Sequence, residues 1–221
     1  HAYENGAYSL GRYTLMEPIE WTKGGWYRLV KDLDITKRAG GNPDPSDNFT
    51  SPAIGWQWSA WKENLTKVAS IKGTSPKDGR LALITASDKR YAVQVDVATD
   101  KKNATSGLLL FYSEKTHAGL MADAKQLFFF NDTATTETFP NKYGKELTIR
   151  LENLSGKLNV LVCGKDGVWE TLRAGIDISG FHHNKLGSFF ALRPALCSVG
   201  HGDAEFRTFR YFKNPESLVK E

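Results

Sequence analysis

Arg90-Tyr91-Ala92-Val93-Gln94-Val95-Asp96-Val97-Ala98-Thr99 alternates with a period of two. Successive side chains of a strand point to opposite faces. Tyr91, Val93, Val95 and Val97 therefore share one face, and Ala92, Gln94 and Asp96 the other. One face packs a core, and the other meets solvent or a cleft. Outward from this stretch the same kind of text recurs on both sides. RLALITAS, SGLLLFYS, QLFFF, ELTIRLEN, KLNVLVCG and AEFRTFRYF are short apolar or alternating runs punctuated by Gly, Asn, Asp and Pro. No long window carries apolar residues at i, i+3, i+4 and i+7 between caps. Many short strands separated by turn residues imply an all-β chain, either a sandwich or a barrel. The pair LNVLVC and VWETL, joined by Gly164-Lys165-Asp166-Gly167, reads as a hairpin.

Composition bounds the function. The chain has 221 residues, of which 40% are hydrophobic and 24% charged, enough apolar matter for a sizeable core. Lys and Arg number 29 against 25 Asp and Glu, a mild excess that is scattered rather than striped. Without a basic cluster interleaved with aromatics, nucleic acid is not an expected partner. No run approaches the roughly 18 apolar residues that span a bilayer, so no membrane span is expected. The opening HAYENG has neither a Met nor a basic and an apolar leader region, which implies an N-terminus made by truncation or cleavage. Cys163 and Cys197 lie in strand-like runs and read as two buried small hydrophobes, with a disulfide as the alternative. Five N-x-Ser/Thr sequons, at Asn48, Asn64, Asn103, Asn131 and Asn153, would matter only in a eukaryotic secretory host.

The punctuation also divides the chain. Residues 1–36 carry an N-terminal strand pair. Residues 37–46, rich in Gly and Pro, form a linker; residues 47–213 form one unit; and residues 214–221 are a short polar tail. The strand pair has Tyr3, Tyr8, Leu10, Leu15, Ile19, Trp21 and Trp26 to bury, and a lone hairpin is marginal in water. Its apolar face needs a partner, either the following unit or something upstream.

HxYENGxYxLGRxTLxEPIEWTxxGW over residues 1–26 resembles the end of the five-bladed propeller of glycoside hydrolase family 43. DNFTSPAIGWQW (47–58) is similar to the opening of that family's C-terminal concanavalin A-like sandwich. SGLLLFYSEKTHAGL (106–120), SGFHHNKLGSFFALRPAL (179–196) and GDAEFRTFRYF (202–212) resemble its middle and closing strands. The resemblance implies a two-sheet antiparallel jelly-roll sandwich preceded by a residual propeller strand pair. It further implies a parent glycosidase acting on plant cell-wall glycans, arabinofuranosides or xylosides foremost, in a secreted, periplasmic or cell-surface setting. The partners would be an upstream propeller and a carbohydrate substrate.

The chemistry present is partial. Glycoside hydrolysis needs two carboxylates at a fixed separation, and the resemblance puts them in upstream blades, so no catalytic residue is assigned here. Sandwich glucanases carry Glu-x-Asp-x-x-Glu on one strand. The nearest match is Gln94-Val95-Asp96-Val97-Ala98-Thr99, with neutral side chains at both glutamate positions that cannot exchange protons. Candidate substrate-binding residues are Phe181, His182, His183 and Asn184, whose rings and amide suit sugar faces and hydroxyls. The alternative is a plain polar turn. Adjacent histidines on a strand would point to opposite faces, which argues against a metal there. Arg193, inside FFALRPAL, should pair with a carboxylate or face an interdomain cleft. The resemblance implies that His1 sits where the last propeller blade offers an axis-facing histidine, and His1 and Arg193 join the candidate substrate-binding residues. Asp47, Asn48 and Asp203 offer oxygen ligands for a structural calcium. Trp56 and Trp58, two apart, are expected on one face, as core or as a sugar platform in a carbohydrate-binding module.

Overall fold

A computed structural model describes residues 8–10, 18–30, 44–51, 53–61, 80–86, 88–99, 104–132, 134–188, 190–200, 202 and 204–220. The strands are β1 (Ile19–Trp21), β2 (Tyr27–Leu29), β3 (Ser59–Ala60), β4 (Arg80–Leu83), β5 (Arg90–Ala98), β6 (Ala104–Ser113) and β7 (Thr116–Ala122). They continue with β8 (Gln126–Asp132), β9 (Ala134–Pro140), β10 (Glu146–Leu154), β11 (Lys157–Cys163), β12 (Trp169–Asp177), β13 (Arg193–Gly200) and β14 (Glu205–Phe212). Among the described residues one short α-helix, α1 (His183–Leu186), interrupts them. No helix among the described residues is long and apolar enough to cross a membrane.

Two antiparallel sheets form the sandwich, ordered β12-β11-β10-β5-β14 and β3-β4-β13-β6-β7-β8-β9. The chain switches sheets between β4 and β5, β5 and β6, β9 and β10, β12 and β13, and β13 and β14. That is the all-β two-sheet architecture expected from the sequence. Tyr91, Val93, Val95 and Val97 face inward as their alternation requires, meeting Leu108, Leu110 and Tyr112 of β6 and Ile149 and Leu151 of β10 in one core. Burying a large apolar side chain stabilises by about 1.5–3 kcal/mol, so this inner layer is the main source of stability.

The seven-stranded sheet is apolar on its second face too. Leu81, Leu83, Leu109, Phe111, Met121, Phe130, Ala195, Cys197 and Val199 are buried there, with Trp61 and Phe128 packed against them. Leu108 to Tyr112 are consequently all at or below 1% exposure. A strand covered on both faces reads as a continuous apolar run instead of an alternation, which is what LLLFY is. The sheet also brings β6 and β7 unusually close. A Cβ on Gly107 would lie 2.1 Å from the Leu120 carbonyl oxygen, and one on Gly119 2.3 Å from that of Leu108. Only glycine fits either place.

The hairpin around residues 164–167 forms, closed by the Gly167 N–H on the Gly164 carbonyl at 3.2 Å. Both cysteines are buried free thiols, Cys163 in the five-stranded sheet and Cys197 in the other. Two expectations change. Trp56 and Trp58 do not share a face: the chain turns there, with Trp58 N–H on the Gly55 carbonyl at 3.1 Å, leaving Trp58 buried and Trp56 70% exposed. His182 and His183 lie on no strand, because α1 begins there. Within the polar tail, Pro215–Lys220 form a 3-10 turn with Pro215 buried and Glu216 bound to Arg90 at 2.6 Å. Of the linker, residues 37–43 lie outside the described residues, and Asp44 accepts the Ser46 N–H at 2.9 Å in an Asx turn.

Candidate functional site

The segment between β12 and β13, residues 178–192, carries most of the candidate residues. Ile178 is fully buried, and its N–H donates to the Gly156 carbonyl at 2.9 Å. Phe181 packs against the main core, so its ring is an anchor more than an open sugar platform. His182 is extended (φ −154°, ψ 163°) at the start of α1, and its carbonyl accepts the N–H groups of Lys185 and Leu186, both at 3.1 Å. The His182 and His183 rings lie 6.4 Å apart at 74°. Burial, and then the neighbouring His183 and Lys185, pull the His182 imidazole below its ordinary value, favouring the neutral form that can both donate and accept. Asn184 is exposed. Gly187, left-handed at φ 74°, ends the helix.

Aromatic rings fix the remainder of this loop. Tyr112 Oη donates to the Ser188 carbonyl. Phe190 stands edge-on to Trp61 (5.1 Å, 75°) and to Tyr112 (5.9 Å, 72°), while Trp61 Nε1 donates to Glu114 at 3.0 Å. Leu192 N–H donates to the Ser9 carbonyl at 2.7 Å, and neighbouring Leu10 is buried in the main core. The N-terminal segment is thus tied to the candidate loop, a juxtaposition that no local sequence pattern announces.

Arg193 follows at the start of β13, opposite Phe111, which in turn lies opposite His117 on β7. Among the described residues no carboxylate pairs with Arg193, and its Nε is buried without a hydrogen-bond partner. Burial alone pulls the guanidinium below its usual value. Of the two expectations for this residue, the carboxylate pair is not found among the described residues.

Of the calcium trio only Asp47 and Asn48 lie among the described residues. Asp203 lies outside the described residues, as does His1. Asp47 Oδ1 accepts the Phe49 N–H at 2.8 Å, and its Oδ2 accepts Trp58 Nε1 at 2.7 Å and Gln57 Nε2 at 3.1 Å. Asn48 Oδ1 accepts both the N–H and the hydroxyl of Thr50. Oxygens ringed by N–H donors suit a capped turn better than a cation, so the described pair does not fit a calcium ion. Among the described residues no three His, Cys, Asp or Glu side chains cluster as a metal site.

The five-stranded sheet's outer face bears the polar row that sequence reasoning compared with a glucanase. Gln94 and Asp96 do share it. Gln94 Oε1 accepts Arg150 Nε and Nη2 at 3.2 and 3.0 Å, and Asp96 accepts the Thr148 hydroxyl at 2.7 Å. Glu146, nearby, is bound by Lys165 (2.9 Å) and Arg207, which hold its carboxyl below the usual range. A carboxylate so held is a poor proton donor near neutrality.

Finally, the hairpin β1–β2 stands apart from both sheets. Its register pairs Ile19 with Leu29 and Trp21 with Tyr27, and all six strand residues are exposed. Trp21 is 73% exposed and Trp26 77%.

No protein-family model and no curated protein matches this sequence. Solved structures do. A Bacteroides ovatus structure described as xyloglucan PUL GH43B superposes with a TM-score of 0.71 at 14% identity, covering 94% of this chain and 49% of its own. The GH43 BlXynB protein of Bacillus licheniformis gives 0.72 at 15% identity, covering 94% and 48%. A xylan β-1,4-xylosidase of Bacillus halodurans gives 0.66 at 14% identity, covering 92% and 48%. The chain spans about half the length of the solved structures it matches. In fold, this chain is similar to about half of a family 43 glycoside hydrolase structure.

Proposed function

We propose that the chain is a non-catalytic accessory sandwich of a family 43-type glycosidase acting on plant cell-wall glycans, with arabinofuranosides or xylosides as substrates. It braces an upstream catalytic unit and offers the 181–193 segment to the rim of that unit's pocket. The carrying observation is the exposed hairpin. Ile19, Trp21, Trp26, Tyr27 and Leu29 present apolar surface that this chain leaves open, and contiguous exposed apolar surface marks an interface. Three further observations support the reading. The fold accounts for only about half of the structures it resembles, of which one is described as a xyloglucan PUL GH43B and another as a xylan β-1,4-xylosidase. Leu192 is bonded to Ser9, which draws the N-terminal segment and the candidate loop together. Arg193 is a half-buried cation whose Nε has no hydrogen-bond partner.

In this arrangement His182, His183 and Asn184 would bind sugar hydroxyls, and Arg193 would meet a carboxylate or hydroxyl across the interface. The test is hydrolysis of chromogenic arabinofuranosides, xylosides and galactosides. The chain alone is expected to release nothing above the buffer rate, and the longer polypeptide with its upstream sequence is expected to turn over one of them. Turnover by the chain alone would sink the accessory role; inactivity of the longer polypeptide on the whole panel would sink the glycosidase assignment.

A further inference from the structure

We infer that the outer face of the five-stranded sheet is a second, non-catalytic binding surface for a neutral oligosaccharide, seated across β12, β11, β10 and β5. It is separate from the 181–193 rim and does not rest on the accessory role. Register fixes its geometry. Trp169 pairs with Cys163, Cys163 with Thr148, and Thr148 with Asp96, so these four side chains form one row on one face. Strands lie about 4.8 Å apart, which makes the row about 14 Å long, a span of two to three sugar rings.

At one end of the row Arg150 places its guanidinium carbon 3.9 Å from the centre of the Trp169 ring. An approach that close is possible only over the ring face, since in-plane contact is held off by the ring's own edge. Arg150 is itself fixed from below by its two bonds to Gln94. The indole is therefore clamped on one face, and its partial exposure falls to the opposite face and the edges. A clamped aromatic with one free face loses little rotamer freedom when a flat apolar surface stacks on it, such as the C–H face of a pyranose.

At the other end lies a hollow of about 250 Å³, lined by Asp96, Thr148, Glu146, Lys165 and Arg207 among others. It is smaller than the roughly 300 Å³ at which enclosed ligand pockets begin, so it fits one ring whose neighbours continue along the sheet. Its charges decide the ligand class. The carboxylates of Asp96 and Glu146 balance the cations of Lys165 and Arg207, and Glu146 is bound by both cations. A site so balanced has little net field to attract an anion or a cation. It does present acceptors and donors in alternation beside a stacking ring, the complement of a neutral polyol.

Affinity electrophoresis of the full 221-residue chain through gels holding soluble arabinoxylan, xyloglucan, amylose or polygalacturonate tests this. The chain should be retarded by at least one of the three neutral polymers and not by the polyanion. Trp169→Ala should weaken that retardation about tenfold, with Trp169→Phe between the two. Asp96→Asn, which keeps the side-chain shape, should weaken it also, and Lys115→Ala, exposed in the turn between β6 and β7, should leave it unchanged. Circular dichroism and melting temperature of each variant separate lost binding from lost folding. Absence of retardation by every neutral polymer, retardation by polygalacturonate alone, or retardation unaltered in folded Trp169→Ala would overturn the assignment. Because no turnover is read, failure here leaves the glycosidase test untouched, and the reverse holds.

Discussion

Replacing Asp47 by alanine removes the acceptor of three N–H groups at once: Phe49 N at 2.8 Å, Trp58 Nε1 at 2.7 Å and Gln57 Nε2 at 3.1 Å. Its backbone exchanges two bonds with Phe209 of β14, at 2.7 and 2.8 Å, so the carboxylate joins the 44–61 segment to the edge of the five-stranded sheet. Trp58 is the side chain most at stake. It is buried against Phe209 (5.1 Å) and Phe49 (5.8 Å), and its indole N–H would lose its charged acceptor. A hydrogen bond to a charged group contributes about 1.5–3 kcal/mol, and a neutral one about 1 kcal/mol. The Trp58 bond takes the upper range and the two less buried bonds smaller shares, so Asp47→Ala should cost about 3 kcal/mol. For a domain of this size that is a fall in melting temperature of about 6–12 °C. Urea unfolding followed by tryptophan fluorescence reads it. Asp47→Asn, which keeps one carbonyl oxygen, should lose about half as much. In a Trp58→Phe background the Asp47→Ala cost should shrink by about 1–2 kcal/mol, because the principal donor is already gone. The same carboxylate is where a calcium ion would be sought, so a chelator is part of the assay. A cost below about 0.5 kcal/mol would refute the capped-turn account, and a cost that vanishes in EGTA, with EGTA lowering the melting temperature of wild type but not of Asp47→Ala, would show that the carboxylate ligates a cation instead.

Other perturbations test other parts of the fold. His117 is buried between Phe111 and Phe130, opposite Asp132, and burial outweighs the Ser113 carbonyl and Asp132 in pulling its imidazole below 6.5. The unfolded chain therefore takes up a proton first, and stability falls as pH drops below about 6.5. His117→Leu should flatten that acid-side slope in melting temperature against pH, and an unchanged slope would refute it. Gly107→Ala forces a Cβ into the Leu120 carbonyl and should cost about 1–3 kcal/mol by urea titration, while Gly180→Ala, with 3.7 Å of clearance, should stay within about 0.5 kcal/mol. Arg193→Met removes a half-buried, carboxylate-free guanidinium, so it should leave the isolated chain as stable or about 1 kcal/mol more stable. In the longer polypeptide the same change should lower activity. Loss of more than about 1 kcal/mol in the isolated chain would mean that Arg193 has a structural acceptor after all.

How much of this was legible beforehand differs from residue to residue. The inward set Tyr91, Val93, Val95 and Val97 could be named because a strand's two faces are written into every second letter. The hairpin at 164–167 was legible because turn chemistry is equally local. LLLFY showed a strand, but the reason for its unbroken apolarity, a sheet covered on both faces, is a property of layers. Trp56 and Trp58 were misplaced because alternation holds only while the backbone stays extended, and a turn at Gly55 breaks it. The polar tail showed its composition but not its contact. Glu216 finds its partner in Arg90, which lies 126 residues away in the chain.

The site residues show the same division. Histidines and an asparagine beside a phenylalanine suggested sugar chemistry from side-chain type alone. That Phe181 turns inward, that Leu192 binds Ser9, and that Arg193 has no carboxylate among the described residues depended on segments meeting from distant places. Trp169 drew no notice in the sequence, for its interest comes from Arg150, a partner one strand removed. Sequence by itself determined the all-β class, the alternating core and the positions of tight turns, since each is governed by backbone sterics within a few residues. Tertiary structure alone decided which polar groups pair, which aromatics stay open and where a ligand could rest, because burial and pairing depend on distances between residues that the chain order does not constrain.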